Sequence, residues 1–309
     1  MINTKVETIL SAYDKTELAL LIVEPKGEIR GILQMVHGMA EHKERYLETM
    51  EYFAEHGFVC AMHDHRGHGD SVASNDDLGY FNDMSGDAIV DDVAMISDLL
   101  KERYPQLPLI LFGHSMGSLI VRAYMKKYDD KVNGLIVCGS PSKRTTLPAE
   151  KLFIQLMIKL KGERYRSSFI NKLSFGAYNK KFPQAASENA WICSDPQVVK
   201  AYDASEKCGF TFTLNGFMNV LNLMDKTYSK NYWQMKNRHV PIFYIIGSDD
   251  PCAEGLEHFK ASVHFMCQVG YENITHKIYP NVRHEILNDI SKNEVRADML
   301  AFMEKAIEK

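Results

Sequence analysis

Long hydrophobic runs, close cysteine pairs and strong charge of either sign are all missing from this 309-residue chain. No stretch approaches about 18 uninterrupted apolar residues, so no membrane-spanning helix is expected. The opening Met1-Ile2-Asn3-Thr4-Lys5-Val6-Glu7 has no basic stretch leading into an apolar one. No secretory signal is therefore expected, and a cytoplasmic location is. A net charge of −4 gives no reason to expect nucleic acid as a partner. The six cysteines (60, 138, 193, 208, 252 and 267) lie far apart without a C-x-x-C pair. They read as buried free thiols of a reducing compartment rather than as a disulfide or zinc framework. Internal repeats and low-complexity tracts are also absent.

What is present is the composition of a soluble enzyme, 45% hydrophobic and 25% charged, on a chain long enough to bury a large core. Short apolar runs at 31–36, 58–62, 108–112 and 134–138 predict buried strands. Helical patterns at 44–56, 86–104 and 118–128 lie between them. Asp87, Asp91 and Asp92 suit the start of the second helix, and Lys101 and Arg103 its end. Strand and helix alternating through short connections predict a mostly parallel, doubly wound sheet with helices on both faces. Residues 8–13 and 17–23 read as an antiparallel hairpin on its edge.

The rhythm stops after Ser140-Pro141 and resumes with a strand at 240–247. A helix at 256–269, a strand at 274–279 and a final helix at 293–307 follow. Residues 1–141 and 239–309 thus form the expected core, and 142–238 a helical insertion that caps it.

One motif carries chemistry. Gly113-His114-Ser115-Met116-Gly117 sits between an apolar strand and an apolar helix, the setting of a strained turn that exposes a serine hydroxyl. A serine nucleophile needs a base, a group that orients the base, and backbone donors for the oxyanion. In this arrangement the partners follow in the order serine, acid, histidine. The strand at 240–247 delivers Ser248-Asp249-Asp250-Pro251, where Asp250 is the preferred acid and Asp249 the alternative. Of the later histidines, 258 and 264 fall on a helix and 276 within a strand. Only His284 sits in a loop at a strand's carboxyl end, where ligands gather. The oxyanion donors expected are the amides of Met116 and of Met39, in His37-Gly38-Met39-Ala40-Glu41-His42.

The run His63-Asp64-His65-Arg66-Gly67-His68-Gly69-Asp70-Ser71 has metal-ligand residue types, but no distant cluster completes a cage. A structural loop beside the site is the better reading. No metal or cofactor is expected.

Together the 37–42, 64–71, 113–117 and 247–251 motifs resemble the monoacylglycerol lipase and lysophospholipase-like branch of the α/β-hydrolases, a serine aminopeptidase S33-like family. The insertion is similar to the cap of bacterial members at 190–195 and 208–210. This resemblance implies a carboxylic-ester hydrolase for small acylglycerol or lysophospholipid-like esters, with Ser115, Asp250 and His284 as triad and Met39 and Met116 as oxyanion donors. Ala40 stands where many relatives have glycine, which alters the loop but leaves the amide.

A serine aminopeptidase of the same fold is the rival, although its usual His-Gly-Gly-Pro-Gly loop is not matched. A dehalogenase or epoxide hydrolase would need aspartate at 115. A non-catalytic binding protein would need none of these groups.

Between 143 and 181 ten Lys or Arg stand against two Glu, a local surplus of eight positive charges beside the apolar 152–160. Such a segment can pack as a solvated basic face, or dock transiently on an anionic membrane surface.

Overall fold

A computed structural model describes residues 2–308. Eight strands form one sheet in the order β1-β2-β4-β3-β5-β6-β7-β8. They are β1 (Ile2–Leu10), β2 (Glu17–Pro25), β3 (Gly31–Val36), β4 (Phe58–His63), β5 (Leu109–His114), β6 (Gly134–Cys138), β7 (Ile242–Gly247) and β8 (Ile274–Tyr279). β1 pairs antiparallel with β2, and β2 with β4. The other five pairings are parallel.

The central strands are chiefly apolar, Gln34 of β3 and the terminal His63 and His114 excepted, because both faces are covered. On β5, Leu109 and Leu111 enter one core while Ile110 and Phe112 enter the other. The first core also takes residues of α2 (Asp87–Arg103), α3 (Met116–Tyr128) and α8 (Leu256–Gln268). The second takes α1 (Leu47–Glu55) and α9 (Lys292–Ile307). The expected doubly wound sheet is therefore the observed one.

The hairpin differs from expectation. Its first strand is Ile2–Leu10 rather than 8–13, and the connection from 11 to 16 is longer than Asp14-Lys15 alone. Buried Ser11 explains this, because its hydroxyl donates to Asp92 at 2.5 Å and accepts from Arg66, pinning the turn to α2. As an edge strand β1 leaves Val6 and Leu10 more than half exposed, so no buried run marks it in the sequence.

Between β6 and β7 the chain forms α4 (Leu147–Lys161), α5 (Ser168–Phe175), α6 (Pro196–Ala204) and α7 (Leu214–Tyr228). Thr213 caps α7, its hydroxyl accepting from Gly216 N at 3.1 Å. α7 packs on α3, and its buried Phe217, Leu221 and Met224 join the first core.

Candidate active site

Ser115 lies at the end of β5 with φ 53° and ψ −117°, a conformation that side-chain-bearing residues avoid. Holding it costs on the order of 1–3 kcal/mol, and the surroundings over-determine it. Ser115 N donates to Cys138 O at 2.9 Å, and Ser118 Oγ donates to Ser115 O at 2.6 Å. The flanking glycines have steric reasons. A Cβ on Gly113 would collide with Gly117 O, and one on Gly117 with Val36 O. α3 starts at Met116 with Ser115 as its N-cap, so its first amides are left without helical partners beside Ser115.

Asp250 follows β7 and opens the turn Pro251–Ala253, accepting from Cys252 N at 2.8 Å. Its other oxygen, Oδ2, lies 2.8 Å from His284 Nδ1. Asp250 and His284 are both buried. Burial pushes the Asp250 carboxyl up, but the electrostatic interaction with His284 and the hydrogen bonds from His284 and Cys252 hold it below the usual carboxylate value. An ionised acid fixes the imidazole with hydrogen on Nδ1 and a lone pair on Nε2.

Asp249 is not drawn in. Its amide donates to Val282 O, and its carboxylate takes the Ser248 hydroxyl. His258, His264 and His276 are exposed and stand apart from the pair.

Ser115, His284, Met39 and Met116 line one cavity of about 690 Å³, within the usual range for small-molecule sites. Phe217, Leu221 and Met224 of α7 make part of its wall apolar.

The loop bearing Met39 is held from behind by neutral histidines. His37 Nε2 accepts from His65 N, so His37 Nδ1 donates to Gly38 O at 2.8 Å. His68 Nε2 accepts from Ala40 N at 3.3 Å, so its Nδ1 donates to Arg66 O. Burial pushes His68 and neighbouring His63 down to about 4 and keeps them uncharged. Ala40 adopts φ 52°, which is why glycine suits this position. Its carbonyl accepts from Gly209 N and Tyr202 OH.

The charged residues of the 63–71 run are taken up by ion pairs within the protein. Lys43 Nζ, fully buried, donates to Asp64 and Asp70 at 2.7 Å each. Arg66 pairs with Asp92 and Asp14. Among the described residues two groups have ligand atoms close enough for a metal ion. In Glu44/Asp64/Asp70 the Lys43 ammonium already supplies the positive charge. The other group is Asp250/Cys252/His284.

Sequence reasoning passed over a buried charged network beside Ser115. His114 Nδ1 faces Glu41 Oε1 at 3.1 Å, and Nε2 faces His284 O at 3.2 Å. Nδ1 also lies 2.9 Å from the Tyr46 hydroxyl, so both ring nitrogens have polar partners within the buried site. Burial pushes His114 down, but the Glu41 hydrogen bond and charge outweigh it and raise the histidine. Glu41 also accepts from Gly38 N, Tyr46 OH and Arg45. Arg45 in turn grips Glu285 with two bonds of 2.6 Å. Glu41 and His114 therefore join the 37–42 loop, β5 and the loop bearing His284. Their presence inside the two motifs was the available signal, but nothing in the spacing paired them.

Comparison with known proteins agrees with this architecture. Residues 27–291 match the family described as serine aminopeptidase, S33. A monoacylglycerol lipase of Mycolicibacterium smegmatis is 24% identical over 301 residues, covering 97% of this chain and 98% of that one. The mouse monoglyceride lipase is 28% identical over 203 residues, which span 62% of this chain and 64% of the mouse protein. A thermostable carboxyl esterase from Bacillus coagulans, solved with glycerol, superposes with a TM-score of 0.89 at 28% identity, over 98% and 99% of the two chains. The chain belongs to the serine aminopeptidase S33 family of α/β-hydrolases, on its monoacylglycerol lipase and lysophospholipase-like branch, and is a carboxylic-ester hydrolase.

Proposed function

We propose that the chain cleaves monoacylglycerol-like or lysophospholipid-like esters through Ser115, His284 and Asp250. The observation that carries this reading is the buried 2.8 Å Asp250–His284 pair opening on the same cavity as the strained Ser115. His284 Nε2 takes the Ser115 proton as Oγ attacks the ester carbonyl. The amides of Met39 and Met116 receive the oxyanion, and Asp250 stabilises the imidazolium. His284 then protonates the leaving alcohol. Water attacks the acyl-enzyme with His284 again as base, releasing the carboxylic acid.

In this reading 1–141 and 239–309 form the catalytic core, and 142–238 the cap that supplies pocket walls and restricts water. Exposed Leu152, Leu156, Leu160, Phe169 and Leu173, set among the basic residues of 143–181, support transient docking of the cap on an anionic lipid surface. Six unpaired cysteines support a cytoplasmic setting. No helix among the described residues is long and apolar enough to cross a membrane.

The test pairs fluorophosphonate labelling with hydrolysis of p-nitrophenyl esters, monoacylglycerols, lysophospholipids and aminoacyl amides. Ester cleavage and labelling that both vanish in Ser115→Ala are expected. Labelling that survives this change would move the nucleophile elsewhere. Cleavage of the amides alone would make the chain a peptidase, and failure of both readouts in the wild type a binding protein.

A further inference from the structure

Beside the proposed base lies a thiol with no part in the proposed reaction. Cys252 Sγ is 3.8 Å from His284 Nε2, the nitrogen that would take the Ser115 proton, and both residues line the cavity. We propose that Cys252 and His284 form a reversible inhibitory site for a borderline-soft divalent cation of the zinc kind. This inference rests on the reading of His284 as the base.

The spacing is the first argument. A tetrahedral zinc holds imidazole nitrogen at about 2.0–2.1 Å and thiolate sulfur at about 2.3 Å, which sets the two ligand atoms roughly 3.5 Å apart. A small rotation of the Cys252 side chain closes the difference.

The second argument is preorganisation. A zinc-bound histidine normally gives its other ring hydrogen to a carboxylate, which fixes the ring and raises its basicity. Asp250 does this here, with Oδ2 at 2.8 Å from His284 Nδ1. The same carboxylate takes the Cys252 amide on Oδ1, so one group braces both ligands. Ligand atoms of Asp250, Cys252 and His284 all lie within 4.8 Å of one another. Cys252 and His284 both line the cavity, so water there can complete the shell.

Binding balances without redox change. Zinc–sulfur and zinc–nitrogen bonds form, the Cys252 S–H bond breaks, and its proton goes to solvent. His284 binds as the neutral imidazole. With the Nε2 lone pair on the metal, no base remains for Ser115. Thiolate and imidazole favour zinc or cadmium over magnesium and calcium, which prefer oxygen.

The experiment measures p-nitrophenyl butyrate hydrolysis against chelator-buffered free Zn²⁺ for the wild type and for Cys252→Ala. The expected result is inhibition reversed by EDTA, with the half-inhibitory Zn²⁺ raised at least about tenfold by the substitution and no effect of Mg²⁺. A second readout needs no activity. Cd²⁺ titrated into Ser115→Ala should produce an ultraviolet thiolate-to-cadmium band that the double variant Ser115→Ala/Cys252→Ala reduces, the remainder coming from other thiols such as exposed Cys267. Cys252→Ser serves if the alanine variant fails to fold. Equal Zn²⁺ sensitivity with and without Cys252, or a cadmium band unchanged by its loss, would overturn the site. Loss of all esterase activity with a Cys252-dependent cadmium band would instead sink the catalytic reading and leave the metal site standing.

Discussion

Behind the cavity-lining His284, Asp250 is 2% exposed, and each of its carboxylate oxygens has a donor. On α4 and α5, by contrast, Leu152, Leu156, Leu160, Phe169 and Leu173 are between 53% and 68% exposed. The two regions face opposite demands. Proton transfer needs groups held within a few tenths of an ångström, so the core spends buried charge and backbone strain on fixing them. Collecting a lipid substrate, as proposed for the inserted helices, needs apolar surface left uncovered, and theirs is. Precision gathers where the chemistry is proposed, and openness where the substrate would arrive.

The sharpest way to break this contrast is at its fixed pole. Asp250→Asn should lower kcat about 10⁴-fold by removing the charge that sets the histidine tautomer, whereas Asp249→Asn should stay within roughly twofold of wild type. Steady-state kinetics on a soluble ester decides, and the reverse ranking would exchange the two aspartates.

At the other pole, Leu156→Asp with Leu160→Asp should cut hydrolysis of monoacylglycerol in anionic vesicles about tenfold. Partial burial of two leucines in lipid contributes at least about 1.4 kcal/mol. Cleavage of a soluble short-chain ester should be unchanged. Equal loss on both substrates would mean that these leucines serve the fold and not a surface.

The Glu41–His114 pair gives a pH signature. His114 is raised above its ordinary 6.5, so its contribution to stability is complete below that value and is lost as pH rises through the folded-state value. Burial raises Glu41, but His114 and Arg45 hold it below its ordinary 4.5, so its contribution is present above that value and is lost only in stronger acid. The melting-temperature gap between wild type and His114→Gln should therefore be widest near pH 5–6 and narrow toward alkaline pH. A gap independent of pH would make His114 neutral.

Smallest is the effect expected at Ala40. Releasing a non-glycine residue from φ 52° removes up to about 1 kcal/mol of strain, partly offset by glycine's freedom in the unfolded chain. Denaturant unfolding of Ala40→Gly should show no loss of stability. A clear loss would mean that the Ala40 methyl packs usefully.

Much of this was legible in the chain. Strands covered on both faces must be chiefly apolar, so β3 to β7 announce themselves as runs. The turn around Ser115 needs glycine on both sides, and that too is written locally. β1 was misplaced because an edge strand has no obligation to be apolar, and because the length of its turn is set by Ser11 bonding to Asp92 and Arg66, far along the chain.

The sequence by itself determined the order of strands and helices and the setting of Ser115 between a strand and a helix, because periodicity and backbone sterics act between near neighbours. It narrowed the acid to two adjacent aspartates with Asp250 preferred. The pairing itself belongs to the tertiary structure, since only the fold brings Asp250 to His284, 34 positions along the chain, and turns Asp249 toward Ser248. The same holds for the His114–Glu41 pair and for Cys252 beside the imidazole. Buried charge and ligand spacing depend on distances through space, which a one-dimensional pattern does not carry.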